Sequence, residues 1–522
     1  MTSVQPKPTS ISSAEVDVDY EKASPVSEAF KGADASDAGS NIGLELYHAT
    51  AIQGLEYTKE EERKVVRKID FYVLSILSVT FCLQYLDKTA LNYANLFGMQ
   101  TSLNLTSDQF SWLGSIFYFA YLVGSNPSSM LLQRFHMGRI LGVAAIIWGV
   151  IIMTTAATDN FGGAMANRFF LGLVESIVTP GLVLQTGMWY RLEEQPGRQL
   201  WWYSFQGWAA VIGGLLGYGV GHINGALSEW TYIFLILGGV TILWGGLVFF
   251  CLPDTLVKTR FFTEREKAIA LDRVAKNKSG LKNKTFKWYQ VEHALKDPKT
   301  YLLFFMSIAA QIPNGTITNF STVITKGIGN FTTLQTTLLG IPPNVIQVAA
   351  LLISGYLASK IPNTRVLIMT AGNIACVVAA ACMAYLPVED RWPRLVAFWI
   401  TPSQSIGFSL SLVMVSANTG GFTKKSFTAA TTFVGYCIGN IIGPHFYKPE
   451  ESPIFRTAII SMLAGYCIKT ALGIVLGLYM WNENRRRDRL LAETGGQSEK
   501  ESEEDGMLDR TEFENPGFRY SL

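Results

Sequence analysis

The sequence predicts an all-α membrane protein of twelve transmembrane helices arranged as two six-helix bundles. Three observations predict it. Of the 522 residues, 49% are hydrophobic and only 16% charged, against about 25% charged in an average soluble chain. Runs of about 20 apolar residues, the length that crosses a bilayer as a helix, recur twelve times. They fall into two blocks of nearly equal length, residues 69–252 and 300–481, on either side of one long polar connection. That six-loop-six layout is the hydropathy signature of a two-bundle transporter.

Taken in order, residues 1–60 are rich in Ser, Ala, Asp, Glu and Pro with few aromatics. Such a segment cannot bury enough apolar surface to offset its ordering entropy and reads as a disordered cytoplasmic arm. It has no basic stretch followed by an apolar core, so no cleavable signal peptide is expected. The N-terminal bundle, residues 61–252, begins with the basic, helix-compatible KEEERKVVRKID. The central loop, residues 253–299, is expected to be cytoplasmic and to hold two amphipathic helices. One, EREKAIALDRVA, is opened by the capping box Thr263-x-x-Glu266; the other, KWYQVEHALKD, is stopped by Pro298. The C-terminal bundle covers residues 300–484, and residues 485–522 form an acidic, Gly-rich tail expected to be disordered and cytoplasmic.

Lys and Arg set the orientation. With both termini in the cytoplasm, the inner loops hold Arg134, Arg139, Arg191, Arg198, twelve basic residues of the central loop, Lys360, Arg365, Lys424 and Lys425, and Arg485 to Arg487 follow the last span. The outer loops hold only Lys326, Arg391, Arg394, Lys448 and Arg456. Two of the chain's glycosylation sequons, at Asn104 and Asn330, fall in outer loops and agree weakly.

Several function classes find no support. The net charge is +2 and the basic residues cluster in loops, so nucleic acid is not expected as a partner. The six cysteines lie in or beside apolar runs without metal-ligand spacing and read as small apolar fillers. No nucleophile elbow, zinc-protease motif or phosphate-binding loop is present, so neither an enzyme nor a directly ATP-driven pump is expected, and no cofactor or metal is implied. Secondary transport remains, with the lipid bilayer, a small solute and protons as partners and a monomer as the unit.

The charges that point to chemistry sit where lipid should be. A charged side chain near the bilayer centre costs roughly 2.5–3.5 kcal/mol on insertion scales, so such groups need a reason. Span four carries Arg168 and Glu175 seven residues apart, on one helix face, with Gly172 on the same stripe. Span one carries Asp87 and Lys88 in QYLDKTALNYAN, where Gln84, Lys88, Asn92 and Asn95 form a polar stripe. Two readings stand: a charge lock between helices, or a device in which a carboxylate takes up a proton while a cation holds an anion. In the second reading, an anion on Arg168 screens that cation from Glu175 and favours Glu175 protonation.

The second six spans contain no Asp or Glu; their one deep charge is Lys469. They offer amides and breakers instead: Gln311, Asn314, Asn319, Gln347, Gln404, Asn418 and Asn440, with Pro313-Asn314-Gly315 expected to interrupt span seven. Charge handling is thus expected in the first bundle and neutral hydrogen bonding in the second. Candidate substrate-binding residues are Lys88, Arg168, Gln206, Asn314, Asn418 and Asn440; proton coupling falls to Asp87 and Glu175. Arg139, Glu194 and Arg198 are candidates for a cytoplasmic latch. His222 and His445, near span ends, read as solvated.

At this point the motifs converge. YTKEEERKVVRKID, YLDKTALNYANL, NRFFLGLVESIVTPG, MWYRLEEQPGR, FFTEREKAIALDRVAKNKSG, IPNGTITNFS and FVGYCIGNIIGP, spread over about residues 57–490, resemble the major facilitator superfamily, and within it the fungal allantoate permease group of anion:cation symporters. The resemblance implies a proton-coupled importer of small organic anions (allantoate-, ureidosuccinate-, nicotinate- or pantothenate-like) working by alternating access in the plasma membrane. It also implies that Asp87, Arg168 and Glu175 serve coupling and anion binding, with Lys88 where relatives carry Arg. Lys lacks the planar fork that grips a carboxylate in two places. After span two, LLQRFHMGRI has Gln133 in place of the family's acid. Competing readings are a proton-antiport exporter of a metabolite or drug, and a nutrient sensor that does not transport.

Overall fold

A bilayer offers no partner for a free backbone N–H or C=O, so an apolar chain must satisfy its backbone internally. The computed structural model does so with helices alone: no strand occurs among the described residues, which are 57–191, 194–223, 225–253, 256, 259, 261–275, 287–361, 363–494, 510–515 and 517–522. Most of the expected N-terminal arm, residues 1–56, lies outside them.

Twelve helices build the two bundles. The first bundle has α1 (Ser75–Leu96), α2 (Ser107–Arg134), α3 (Met137–Thr155), α4 (Phe161–Trp189), α5 (Gln195–Val220) and α6 (Glu229–Cys251). The second has α7 (Pro298–Gly329), α8 (Ile341–Lys360), α9 (Arg365–Tyr385), α10 (Arg391–Asn418), α11 (Phe422–Ile442) and α12 (Arg456–Thr494). Eight of these are long and apolar enough to qualify as spans on composition alone. The more polar remainder, α2, α5, α7 and α11, all contribute to the seam between the bundles, where a fully apolar surface is not required.

By contact the chain divides into two units, residues 1–66 with 255–276, and 67–254 with 277–522. In the small unit the expected capping box is formed: the Glu266 backbone N–H donates to Thr263 Oγ1 and the Thr263 N–H to Glu266 Oε2, at 3.3 and 3.0 Å. It starts the helix Glu264–Ala275. Arg265 and Arg273 of that helix pair with Glu61 and Glu62, each at 3.0 Å.

In the large unit, hydrogen bonds join the bundles on the half away from the chain's C-terminus. Asn92 Nδ2 donates to Ser321 Oγ at 2.9 Å, and Asn92 Oδ1 accepts from the Thr322 N–H and hydroxyl. Ser111 and Ser115 donate to the carbonyls of Pro444 and Ile441. His445, read from sequence as merely solvated, belongs to this seal: its Nε2 lies 3.1 Å from Ser115 Oγ and its ring packs on Trp112. His222 is exposed, as read.

Two expectations are corrected here. Pro313-Asn314-Gly315 does not break α7, which is helical through Pro313. The small residues serve close packing instead: a Cβ at Gly439 or Gly443 would sit 2.6 or 2.4 Å from the α7 carbonyls of Ile308 and Ile312. The tail is not disordered where it is described. The last helix continues to Thr494, and Tyr520, 2% exposed, inserts into the core of the second bundle with Leu303, Met369, Met414 and Met480.

Candidate functional site

Asp87 and Lys88 are consecutive on α1, so their side chains leave the helix about 100° apart. Asp87 turns into its own bundle, where Oδ2 accepts from Trp148 Nε1 of α3 at 2.7 Å. Its Oδ1 is buried without a partner. Lys88 turns toward α2, with Nζ 5.5 Å from the Phe117 ring centroid and 5.0 Å from that of Tyr121. It also acts electrostatically on Cys437 of α11, across the seam.

The other half of the site is α4. Arg168 is 4% exposed, lies over the Phe234 ring of α6 at 5.8 Å, and leaves Nε and Nη2 without partners. Glu175 is wholly buried and neither carboxylate oxygen has a hydrogen-bond partner. Gln84 is its polar neighbour, donating to the Glu175 carbonyl at 3.2 Å and also acting on its carboxyl group. The helix breaks immediately after Glu175 and resumes at Val178. Gly172 is fixed by packing: a Cβ there would lie 2.2 Å from the Phe117 carbonyl oxygen, so α4 rests directly on α2.

Asp87 is coupled electrostatically to Lys88, Arg168 and Glu175, and Glu175 to both cations. Yet no carboxylate of the four lies within the 4.0 Å of an ion pair from either cation. Buried polar groups are usually satisfied, and each exception calls for an explanation. Here three buried residues, on α1 and α4, share the same exception.

The second bundle contributes a chain of amides. Asn440 Nδ2 donates to Gln311 Oε1 at 3.1 Å, Asn314 Nδ2 to Asn440 Oδ1 at 2.9 Å, and Gln404 Nε2 to Asn314 Oδ1 at 3.4 Å. Lys469 is fully buried rather than snorkelling, with Nζ donating to the Gln404 carbonyl at 2.7 Å. Aromatic rings close the space between the bundles: Tyr118 faces Tyr436 at 5.9 Å and Tyr121 faces Phe433 at 5.6 Å.

The structure therefore brings Asp87, Lys88, Arg168 and Glu175 together, and separately Asn314 and Asn440. Gln206 is buried on α5, with Nε2 lacking a partner. Asn418 is a correction: it lies at the end of α10 and is consumed by the tail, donating to the Ser521 carbonyl at 2.9 Å and accepting from its N–H at 2.7 Å. Of the latch candidates, Arg198 pairs with Asp70 at 3.4 Å, Glu194 accepts from the Arg191 N–H, and Arg139 is exposed at the rim of an apolar cavity of about 800 Å³ among α2, α3 and α4. Asp70, Trp148 and the four seam aromatics were missed. Tyr118 and Tyr121 share a helix face, a signal that was available; Trp148 in an apolar run gave none.

The sequence matches the Major Facilitator Superfamily model over residues 77–444. The chain belongs to the major facilitator superfamily. An uncharacterised transporter of Schizosaccharomyces pombe is 38% identical over 504 residues, covering 96% of this chain and 95% of that one. The allantoate permease of Saccharomyces cerevisiae is 32% identical over 480 residues, covering 90% and 88%. In fold the chain is similar to the crystal structure of a D-xylose-proton symporter, with a TM-score of 0.59 at 12% identity, over 79% of this chain and 97% of that one. It is also similar to a bacterial homologue of the lysosomal transporter Spinster in an inward-facing, occupied conformation, with a TM-score of 0.57 at 12% identity, over 78% and 95%. The protein is thus a multi-pass membrane transporter of a non-enzymatic class.

Proposed function

We propose that this transporter carries a small organic anion together with protons into the cell by alternating access. The observation that carries the reading is the set of buried, unpartnered charges on α1 and α4. A structural lock would pair Asp87 or Glu175 directly with Arg168 or Lys88; the orphaned Glu175 oxygens and Arg168 nitrogens instead leave sites for a proton and an anion. Lys88, facing α2 and the seam, is the cation that meets the anion first, with Arg168 behind it. Glu175 and Asp87 carry the proton: anion binding screens positive charge beside Glu175 and favours its protonation. Asn314, Asn440 and Gln206 supply neutral hydrogen bonds.

The positive-inside bias favours both termini in the cytoplasm, and in this reading the hydrogen-bonded half of the seam faces outward. Arg198 and Asp70 then lie at the inner end as gating residues. The similarity to the allantoate permease supports a nitrogen-containing organic anion as cargo; a plasma-membrane location and a monomeric unit belong to the same proposal.

Uptake of labelled allantoate, ureidosuccinate, nicotinate, pantothenate and short peptides by cells expressing the chain, at two external pH values, tests this reading. Saturable uptake stimulated by acid is expected for at least one compound. Absence of uptake for all of them, or acid-driven efflux, overturns it.

A further inference from the structure

Thr419, Gly420 and Gly421 join α10 to α11, and Gly421 has φ of +78°, a conformation that side chains disfavour. This bend is held from two sides. On one, Gln290 of the helix Trp288–Lys296 caps α11, its Oε1 accepting from the Thr423 and Lys424 N–H groups at 2.9 and 3.3 Å. On the other is the C-terminal segment. Glu512 Oε2 accepts from the Gly420 N–H at 2.9 Å, while Oε1 takes Lys299 of α7 at 2.7 Å and Lys424 of α11 at 2.5 Å. Asp297 completes the cluster, 3.3 Å from Lys299 and 2.8 Å from Lys424.

The rest of the segment engages the other helices. The Leu522 carbonyl accepts from the Arg365 N–H of α9, the Ser521 backbone pairs with Asn418 of α10, and Tyr520 pairs through its backbone with Asn484 of α12. One stretch of 13 residues, Arg510 to Leu522, thus touches α7, α9, α10, α11 and α12.

We propose that Arg510–Leu522 is a clasp, keyed by the Glu512 carboxylate, that docks on the second bundle and holds the α10–α11 bend closed, so that its release frees that bend to move. The key is a charge because removing one member of a buried cluster strands the others: without Glu512, Lys299 and Lys424 are left with Asp297 as their one carboxylate. The bend is the natural target, since a Gly–Gly connection without the Glu512 contact loses the bond that fixes Gly420. Transporters of this fold work by moving helix ends, and a strap across five of them sets how readily this end moves. The proposal is independent of what is transported or whether protons are coupled.

Hydrogen exchange on the full-length protein in nanodiscs, with Glu512→Gln against the parent, tests it. Amide exchange is expected to rise by about tenfold or more in residues 418–424 and 511–522, and to stay unchanged in α1 to α6. Glu512→Asp should recover part of the protection. If Glu512→Gln does not fold, Asn418→Leu, which cuts the two bonds to Ser521 and a contact with Met414 Sδ within α10, should loosen the same two segments to a smaller degree. Protection of residues 418–424 within about twofold of the parent, in whichever variant folds, overturns the clasp.

Discussion

Among the described residues, two clusters of buried charge are built on opposite rules. In the tail cluster every charge has a direct partner: Glu512 sits between Lys299 and Lys424, and Asp297 touches both. Burial alone would raise the Glu512 carboxyl, but the two ammonium groups outweigh it and hold it down at about 2. In the first bundle Asp87, Arg168 and Glu175 are equally buried, yet none of them has an ion-pair partner, and the one hydrogen bond to Asp87 comes from Trp148. Satisfied charge fixes a structure; a concentration of unsatisfied charge calls for an explanation, and a binding role is one. The difference is the physical ground on which the first-bundle charges are proposed as the transport site.

That contrast can be broken by substitution. The largest expected effect is in the unsatisfied set: Glu175→Gln should remove acid-driven accumulation, by about 100-fold or more, while leaving thermal stability equal or higher, because a buried charge without a partner is destabilising. Lys424→Met should do the reverse. It leaves Glu512 and Asp297 sharing one cation, and breaking a buried pair costs about 3–5 kcal/mol, read as a lower melting temperature or lost exchange protection in the second bundle. Smaller is Gly172→Ala, whose Cβ would meet the Phe117 carbonyl; overpacking of this kind costs about 1–3 kcal/mol, checked by thermal melting.

The pH dependence of the tail follows from its sign. Glu512 is depressed from the ordinary 4.5 to about 2, so its contribution is full above about 4.5 and is lost as pH falls toward 2. Tail protection measured by exchange should therefore be flat between about pH 5 and 8. Smallest is Lys88→Arg, which supplies a planar fork in place of a point charge and should change the ranking of transported anions more than the maximal rate.

Much of this was legible in the sequence, and the reasons are specific. Twelve apolar runs and one long polar loop imposed the bundles, because length and hydropathy alone decide what spans a bilayer. Asp87, Lys88, Arg168 and Glu175 stood out because ionised groups are rare in such runs. What the sequence hid depends on distance along the chain. Glu512 looked like one more acid in an acidic tail, and only the fold sets it against Lys299 and Lys424. Asn418 looked like a cavity amide because hydropathy does not tell a helix end from its middle. Pro313 looked like a break because the close packing of α7 on the glycines of α11 is invisible to a linear reading. The two sequons also share a local structure: Asn104 and Asn330 sit at positive φ, and Thr106 and Thr332 open the helices that follow with matching capping boxes to Gln109 and Gln335. They are a turn repeated at the same place in each bundle.

The central claim is that Glu175 carries the proton while the cations carry the anion. Its most direct test is to compare net acid-driven accumulation with equilibrium exchange of the same labelled anion in proteoliposomes bearing the parent or Glu175→Gln. Loss of accumulation with exchange retained is the expected result; accumulation at the parental level in the variant contradicts it.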